Sequence, residues 1–66
     1  MKKEYVYKKV IEGVNKNTGH SFIKCNEENM KDLNNCLEEL SKDGLIEYRQ
    51  HSSLVFDCWN TKREIM

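Results

Sequence analysis

The sequence predicts an α+β domain with the element order ββαββ, in which one helix packs on one face of a four-stranded antiparallel sheet. Two observations support this fold class. A capped amphipathic helix occupies the middle of the chain, and each side of it carries two runs of β-branched and aromatic residues separated by a turn signal. The length of 66 residues suits a single small domain, 1–66, of marginal stability.

Two strands, about 4–14 and 20–25, are predicted ahead of the helix. Valine, isoleucine and tyrosine dominate the first run, and these side chains favour strands. The segment 15–19 between the runs is rich in Asn and ends in Gly, which is typical of a tight hairpin turn. A helix over 4–15 is the alternative, because the apolar residues of the first run also recur at helical spacing.

The central helix is predicted over about 27–43. Asn26 is a suitable N-cap, since its side chain can accept a hydrogen bond from the free N–H groups of the first turn. Gly44 follows the last turn, where a left-handed residue commonly ends a helix. Apolar residues recur between these two positions at spacings of three and four, which marks the face that packs on the sheet. These expected core residues are Met30, Leu33, Leu37 and Leu40.

A second hairpin is predicted after the helix, with strands at about 45–50 and 54–60. Both runs are short and rich in aromatic and β-branched residues, and a polar segment, 51–53, separates them. Side chains alternate along a strand, so Phe56 and Cys58 should face one side of the sheet and Asp57 the other. The remaining residues, 61–66, form a charged tail that is expected to fray.

A single helix covers only one face of a four-stranded sheet, so the other face should expose aromatic side chains. A contiguous apolar patch marks an interaction surface, and aromatic residues dominate the hot spots of protein interfaces. The chain is therefore predicted to be a protein–protein interaction module, either a homodimer or an inhibitor or adaptor of a larger protein. The residues expected at this surface are Tyr5, Tyr7, Phe22 and Trp59.

The absence of Ala and Pro, together with abundant Lys and Asn, is associated with AT-rich bacterial or phage genomes. We therefore expect a small regulatory protein of bacterial or phage origin. This expectation rests on composition alone.

The charges are segregated along the chain although the formal net charge is zero. Residues 1–25 contain six Lys and two Glu, a net charge of +4, while residues 26–43 contain six acids and two Lys, a net charge of −4. A basic surface with aromatic side chains is the usual footprint of a nucleic-acid-binding protein. A regulatory protein that binds nucleic acid through a basic aromatic sheet face is therefore the alternative function. Its expected contacts are Lys8, Lys9, Lys24 and Arg49.

The segment LNNCLEELSKDGLIEYRQHSSLVFDCW, with its spacing Leu-x-x-Leu-x-x-x-Gly-Leu-Ile, resembles the final helix and wing of the winged-helix family. The resemblance covers about half of the chain and implies DNA binding through that helix. The pattern departs from the family in its chemistry, because phosphates would repel the acidic residues of the helix. The predicted fold also lacks two preceding helices, so the resemblance implies at most a degenerate winged-helix-like protein. The acids are Glu27, Glu28, Asp32, Glu38 and Glu39.

The sequence predicts no metal site, cofactor, small-molecule substrate or enzymatic activity. The cysteines and histidines lack the short paired spacing that brings two ligands to one ion, and no nucleophile–base–oxyanion constellation is evident. An odd number of cysteines without an export signal or a membrane-spanning run predicts free thiols and a cytoplasmic protein. These candidate ligands are Cys25, Cys36, Cys58, His20 and His51.

Overall fold

The computed structural model describes residues 2–16 and 19–61, and this part of the chain contains two helices and a three-stranded antiparallel sheet. The elements are α1 (Lys3–Lys16), β1 (Ser21–Lys24), α2 (Met30–Lys42), β2 (Ile46–Ser52) and β3 (Val55–Asn60). The strand order is β1-β3-β2, so β1 pairs with the last strand of the chain. The predicted ββαββ fold, with four strands and one helix, is therefore wrong.

The segment 4–14, predicted as a strand, lies within helix α1. Val6 and Val10 are one helical turn apart and are 2% and 0% exposed, so both pack in the core. Burial of this face outweighs the weak intrinsic preference of Val and Tyr for strands. The predicted hairpin turn instead follows a helix, and the Gly19 N–H donates to the Val14 carbonyl at 3.0 Å. Residues 17 and 18 lie outside the described residues.

Helix α1 touches β1 closely at Gly13. A Cβ atom at this position would lie 2.1 Å from the Ser21 Oγ and 2.5 Å from the Ser21 Cβ, distances that real Cβ contacts do not reach. The Ser21 hydroxyl donates to the Lys9 carbonyl across the same contact, at 3.3 Å. The absence of a side chain at Gly13 therefore lets α1 lie directly against the first residue of the edge strand.

Helix α2 corresponds to the helix predicted over 27–43, but it begins at Met30. Asn26 and Asn29 lie at the two ends of the turn before this helix. The side-chain oxygen of each residue accepts a hydrogen bond from the backbone N–H of the other, at 2.9 Å in both cases. Asn26 thus caps this preceding turn, in the reciprocal manner of a capping box. The predicted N-cap of the helix at Asn26 is wrong: the N-cap of α2 is Asn29, whose side chain makes no capping hydrogen bond to the helix.

The C-terminus of α2 is a Schellman motif. Gly44 has a φ of 78° and donates to the Ser41 carbonyl, while Leu45 donates to the Leu40 carbonyl. These bonds satisfy carbonyls that the last helical turn leaves free. The predicted left-handed position at Gly44 is therefore the one that ends the helix.

The hairpin after α2 is formed by β2 and β3, with a register shift between Gln50 and Ser52. His51 and Ser52, predicted as part of the turn, belong to β2. Thr61, assigned to the frayed tail, is tied to the end of α2: its N–H donates to the Leu45 carbonyl and its hydroxyl to the Gly44 carbonyl. The rest of the predicted tail, 62–66, lies outside the described residues.

Both helices pack on the same face of the sheet and enclose one hydrophobic core. Of the nine buried residues in the described part of the chain, α2 supplies four, α1 and β3 two each, and β2 one. The buried members are Val6, Val10, Leu33, Cys36, Leu37, Leu40, Ile46, Phe56 and Cys58. Within the described residues, no helix has the length and apolar composition needed to cross a membrane.

The basic first segment and the acidic helix meet at exposed ion pairs made by Lys3. The Lys3 ammonium lies 3.1 Å from the Asp43 carboxylate and 3.9 Å from that of Glu39, so α1 begins where α2 ends. The hydrogen bond to Asp43 and the charges of both acids raise the pKa of Lys3. Exposed pairs of this kind contribute little to stability, although they favour this helix arrangement.

Candidate functional site

A groove of about 400 Å³ lies between α1 and β1, at the edge of the sheet. Buried and half-buried apolar side chains from three elements form its floor, namely Val6, Ile23 and Leu33. Polar and aromatic side chains from α1 and β1 form its rim. The volume falls within the range of known binding pockets, and an apolar floor with a polar rim resembles the anatomy of protein interfaces.

The rim carries Tyr5 and Phe22, the large hydrophobic residues that are exposed in the described part of the chain, at 57% and 52%. Tyr5 comes from α1 and Phe22 from β1, so the two rings border the groove from different elements. The Lys9 ammonium lies 5.7 Å from the centre of the Tyr5 ring, within the range of a cation–π contact. Exposed aromatic rings beside a concave surface are typical of interface hot spots.

Among the described residues, the backbone of β1 pairs only with β3, so its other edge is free beside the groove. Cys25 donates to the Leu54 carbonyl at 2.9 Å, which makes Cys25 and Leu54 a hydrogen-bonded pair of the antiparallel ladder between β1 and β3. Hydrogen-bonded and non-bonded pairs alternate along such a ladder. Phe22 and Lys24 are therefore in non-bonded pairs, and their N–H and C=O groups point away from β3. Strand β1 thus offers a partner two donors and two acceptors.

The charged residues that line the groove are mostly basic. Among the described residues, three lysines and one glutamate contribute to its lining. These residues are Lys9, Lys16, Lys24 and Glu12. The groove is therefore complementary to a negatively charged segment.

Side chains of the sheet and of His20, which precedes β1, close the sheet face opposite the helices, where no other described helix or strand lies. Asp57 lies on this face and is 2% exposed. Its Oδ1 atom lies 2.8 Å from His20 Nδ1, and its Oδ2 accepts from Arg49 Nε at 3.3 Å. Buried carboxylates are stable only when such partners compensate the lost hydration. Asp57 thus has a structural role on this face.

Aromatic rings surround this polar centre. The His20 ring lies 5.5 Å from Trp59, and Phe22 meets the His51 ring edge-on at 5.3 Å. The Arg49 guanidinium lies 5.9 Å from the centre of the Trp59 ring. These contacts hold Trp59 half-buried, so the open face is a mixed polar and aromatic layer and not the apolar patch predicted from the sequence.

The four predicted interface residues have different environments in the structure. Tyr5 and Phe22 meet at the groove, and Trp59 lies on the open sheet face. Tyr7 packs against the hydrophobic core and is not among the groove residues. The prediction that Tyr5, Tyr7 and Phe22 share one face is wrong. Tyr5 and Tyr7 lie in helix α1, and residues two positions apart in a helix point to different sides.

The predicted nucleic-acid contacts are also dispersed. Lys9 and Lys24 line the groove, Arg49 binds Asp57, and Lys8 is exposed outside the groove lining. Sequence reasoning missed Lys16, whose helical spacing from Lys9 could have indicated a shared face of α1. It also missed the contact between His20 and Asp57, which are 37 positions apart and carry no local signal.

The cysteines are free and pack as small hydrophobic residues. Burial raises the pKa of the Cys58 thiol to about 12, and burial also raises the pKa of Cys36. Both thiols therefore stay protonated near neutral pH, which makes them poor nucleophiles. In the described ranges, no three His, Cys, Asp or Glu side chains are grouped so that they could hold a metal ion.

No protein-family model, no curated protein and no solved structure matches the chain. Function is therefore inferred from the side chains and backbone groups of the groove.

Proposed function

We propose that the chain is a small non-enzymatic protein–protein interaction module that binds its partner in the groove between α1 and β1. The observation that supports this proposal most directly is the placement of exposed Tyr5 and Phe22 around one concave, apolar-floored site. Burial of two such rings stabilises a complex by several kcal/mol in typical interfaces, on the order of 2 kcal/mol or more for each hot spot.

A protein other than a second copy of the chain is the favoured partner. Isologous association through this groove would bring Lys9, Lys16 and Lys24 of two copies together, and like charges oppose such a contact. An inhibitor or adaptor role in a bacterial or phage system fits a chain whose binding site is one narrow groove. Three free cysteines suit a reducing compartment such as the cytoplasm.

Nucleic-acid binding is the second candidate. Lys9 and Lys24 lie beside Tyr5 and Phe22 in the groove, and single-stranded bases stack on such rings between basic side chains. A helix-in-groove mode of the winged-helix kind is disfavoured. Although α1 precedes α2, the five acidic residues noted in the sequence are all exposed on α2 and the turn before it.

Site-specific photo-crosslinking tests the proposed function. A benzophenone amino acid replaces Tyr5 or Phe22, and matched controls carry it at the exposed positions Lys8 and Glu47, away from the groove. Each variant is irradiated in lysate of the host cell. We expect one protein adduct of defined mass from the two groove positions and none from the controls, because only the groove residues lie within reach of the partner.

The same measurement separates the alternatives. An adduct with twice the mass of the chain would indicate a homodimer in place of a different partner. A nuclease-sensitive adduct would favour nucleic-acid binding. Equal labelling from all four positions would contradict a binding site at the groove.

A further inference from the structure

We infer that the segment bound in the groove is an extended, acidic stretch of the partner protein that pairs with β1 as a fourth strand of the sheet. This inference rests on the proposed function and specifies the chemistry of the partner. It is carried by the free backbone edge of β1, the charge of the groove and the limits that α1 places on the site.

The backbone groups of Phe22 and Lys24 define the pairing. Both residues direct an N–H and a C=O away from β3, as the ladder alternation requires. An added peptide strand supplies an acceptor for each N–H and a donor for each C=O, so one short segment can satisfy all four groups. A phosphodiester chain supplies oxygen acceptors at its backbone and leaves the two carbonyl groups without donors.

Helix α1 fixes where the added strand can lie. At Gly13 the helix touches Ser21, so α1 and β1 are in direct contact at this part of the groove, which both residues line. Further along β1 the groove opens between the α1 residues Tyr5 and Lys9 and the strand residues Phe22 and Lys24. The segment must therefore pair along the later part of β1 and pass Tyr5 at the N-terminal half of α1.

The lining of the groove specifies the side chains of the segment. Successive side chains of a strand alternate between two sides, so one set would face the apolar floor of Val6, Ile23 and Leu33. The other set would lie on the side of Lys24, where carboxylates are favoured. Glu12 is the single acid that lines the groove against three lysines, so the field favours an acidic segment. The expected pattern alternates apolar and acidic residues.

Selection from a display library of random dodecapeptides tests the inference. The full chain is the bait, and the variant Lys9→Glu with Lys24→Glu is used for counter-selection. We expect enrichment of peptides that alternate apolar and acidic residues. A selection that enriches no peptides, or that enriches basic peptides or peptides with helical apolar spacing, would overturn the inference.

The selected peptide then tests the pairing itself. We expect amide hydrogen exchange at Phe22 and Lys24 to slow about tenfold on binding, and N-methylation of the peptide amides that face β1 to weaken binding about tenfold. Methylation of the alternate amides and the variant Lys8→Glu are the matched controls and should change little. Unchanged exchange at both positions, or equal effects of the two methylation sets, would exclude strand addition.

The outcome is separable from that of the proposed function. If photo-crosslinks at Tyr5 and Phe22 persist while peptide selection and exchange fail, only strand addition is wrong. Two results together would contradict both proposals. The chain would bind single-stranded oligo-dT with an affinity that falls with salt and is lost in Lys9→Glu, and the groove positions would give nuclease-sensitive adducts.

Discussion

Asp57 and Cys58 are neighbours on β3 and are equally inaccessible to water, at 2% and 0% exposure, yet they lie on opposite faces of the sheet. Cys58 lies on the face that the helices cover and packs among apolar side chains. Within the described residues, Asp57 receives an imidazole from His20, just before β1, and a guanidinium from Arg49 on β2. Apolar packing therefore excludes water from Cys58 on one face, whereas hydrogen-bonded side-chain partners exclude it from Asp57 on the other.

The difference shows why an uncovered sheet face does not have to be an apolar patch. The prediction of such a patch assumed that the aromatic residues outside the helix-covered face would be exposed. In the structure, Trp59 and His20 form part of the layer over Asp57, and exposure of large hydrophobic rings is limited to Tyr5 and Phe22 in the described residues. The candidate interface is consequently smaller, and it lies at the sheet edge.

Truncation on the helix-covered face should have the largest effect on stability. Leu37 is fully buried between α2 and the sheet, so Leu37→Ala removes apolar contacts and leaves a cavity. We expect the free energy of unfolding to fall by about 2–5 kcal/mol in a denaturant titration. The neighbouring exposed variant Glu38→Ala is the control and should change it little. A loss below about 1 kcal/mol would mean that this face is not the main source of stability.

Removal of the charge on the open face should have an intermediate effect. Asp57→Asn keeps the shape of the side chain but weakens its bonds to His20 and Arg49. We expect a loss of about 1.5–3 kcal/mol in the free energy of unfolding, the contribution of hydrogen bonds to a charged group. Glu47→Gln changes an exposed carboxylate on a neighbouring strand and is the control. Equal stabilities of the two variants would contradict a structural role for the Asp57 pairing.

The free energy of unfolding at alkaline pH should depend on Cys58, because this thiol is buried away from water on the helix-covered face. The pKa of this thiol rises from 9.0 to about 12 on folding, because burial disfavours the thiolate. Between these values the folded state binds more protons than the unfolded state, so the free energy of unfolding falls as pH rises. We expect Cys58 to contribute a slope that approaches about 1.4 kcal/mol per pH unit in this window and vanishes well below pH 9.

Denaturant titrations of the parent chain and Cys58→Ala between pH 8 and pH 11 measure this contribution. The variant loses absolute stability through its cavity, but the comparison concerns only the slope with pH. A shallower slope in Cys58→Ala is the expected result. Parallel slopes would show that the thiol does not carry the pH dependence and that water reaches this face.

Local signals predicted α2 better than α1. The α2 segment combines a capping Asn, an apolar stripe and a terminal Gly, and all three act within a few residues. The α1 segment combines β-favouring side chains with helical spacing of Val6 and Val10, and only packing against α2 and the sheet decides between them. Gly13 was an available clue to the helix. It continues the helical spacing of Val6 and Val10, and a residue without a side chain on that face fits the close contact with Ser21.

The candidate site depended on contacts that no local pattern encodes. Tyr5 and Phe22 were selected as exposed aromatic residues, but the groove between them exists because β1 pairs with β3, more than 30 positions away. The alternation along β3, which separates Asp57 from Phe56 and Cys58, follows from strand geometry and was predictable. The binding partners of Asp57 required the tertiary fold.

The contact between Gly13 and Ser21 has a consequence for the dimensions of the molecule. Gly13 contributes only a hydrogen atom and Ser21 a hydroxymethyl group, so this pair is a thin spacer between the helix and the edge strand. A larger side chain at either position would push α1 away from β1 and so change the width of the groove. The width of the groove is therefore set in part by two small residues, Gly13 and Ser21, that also line it.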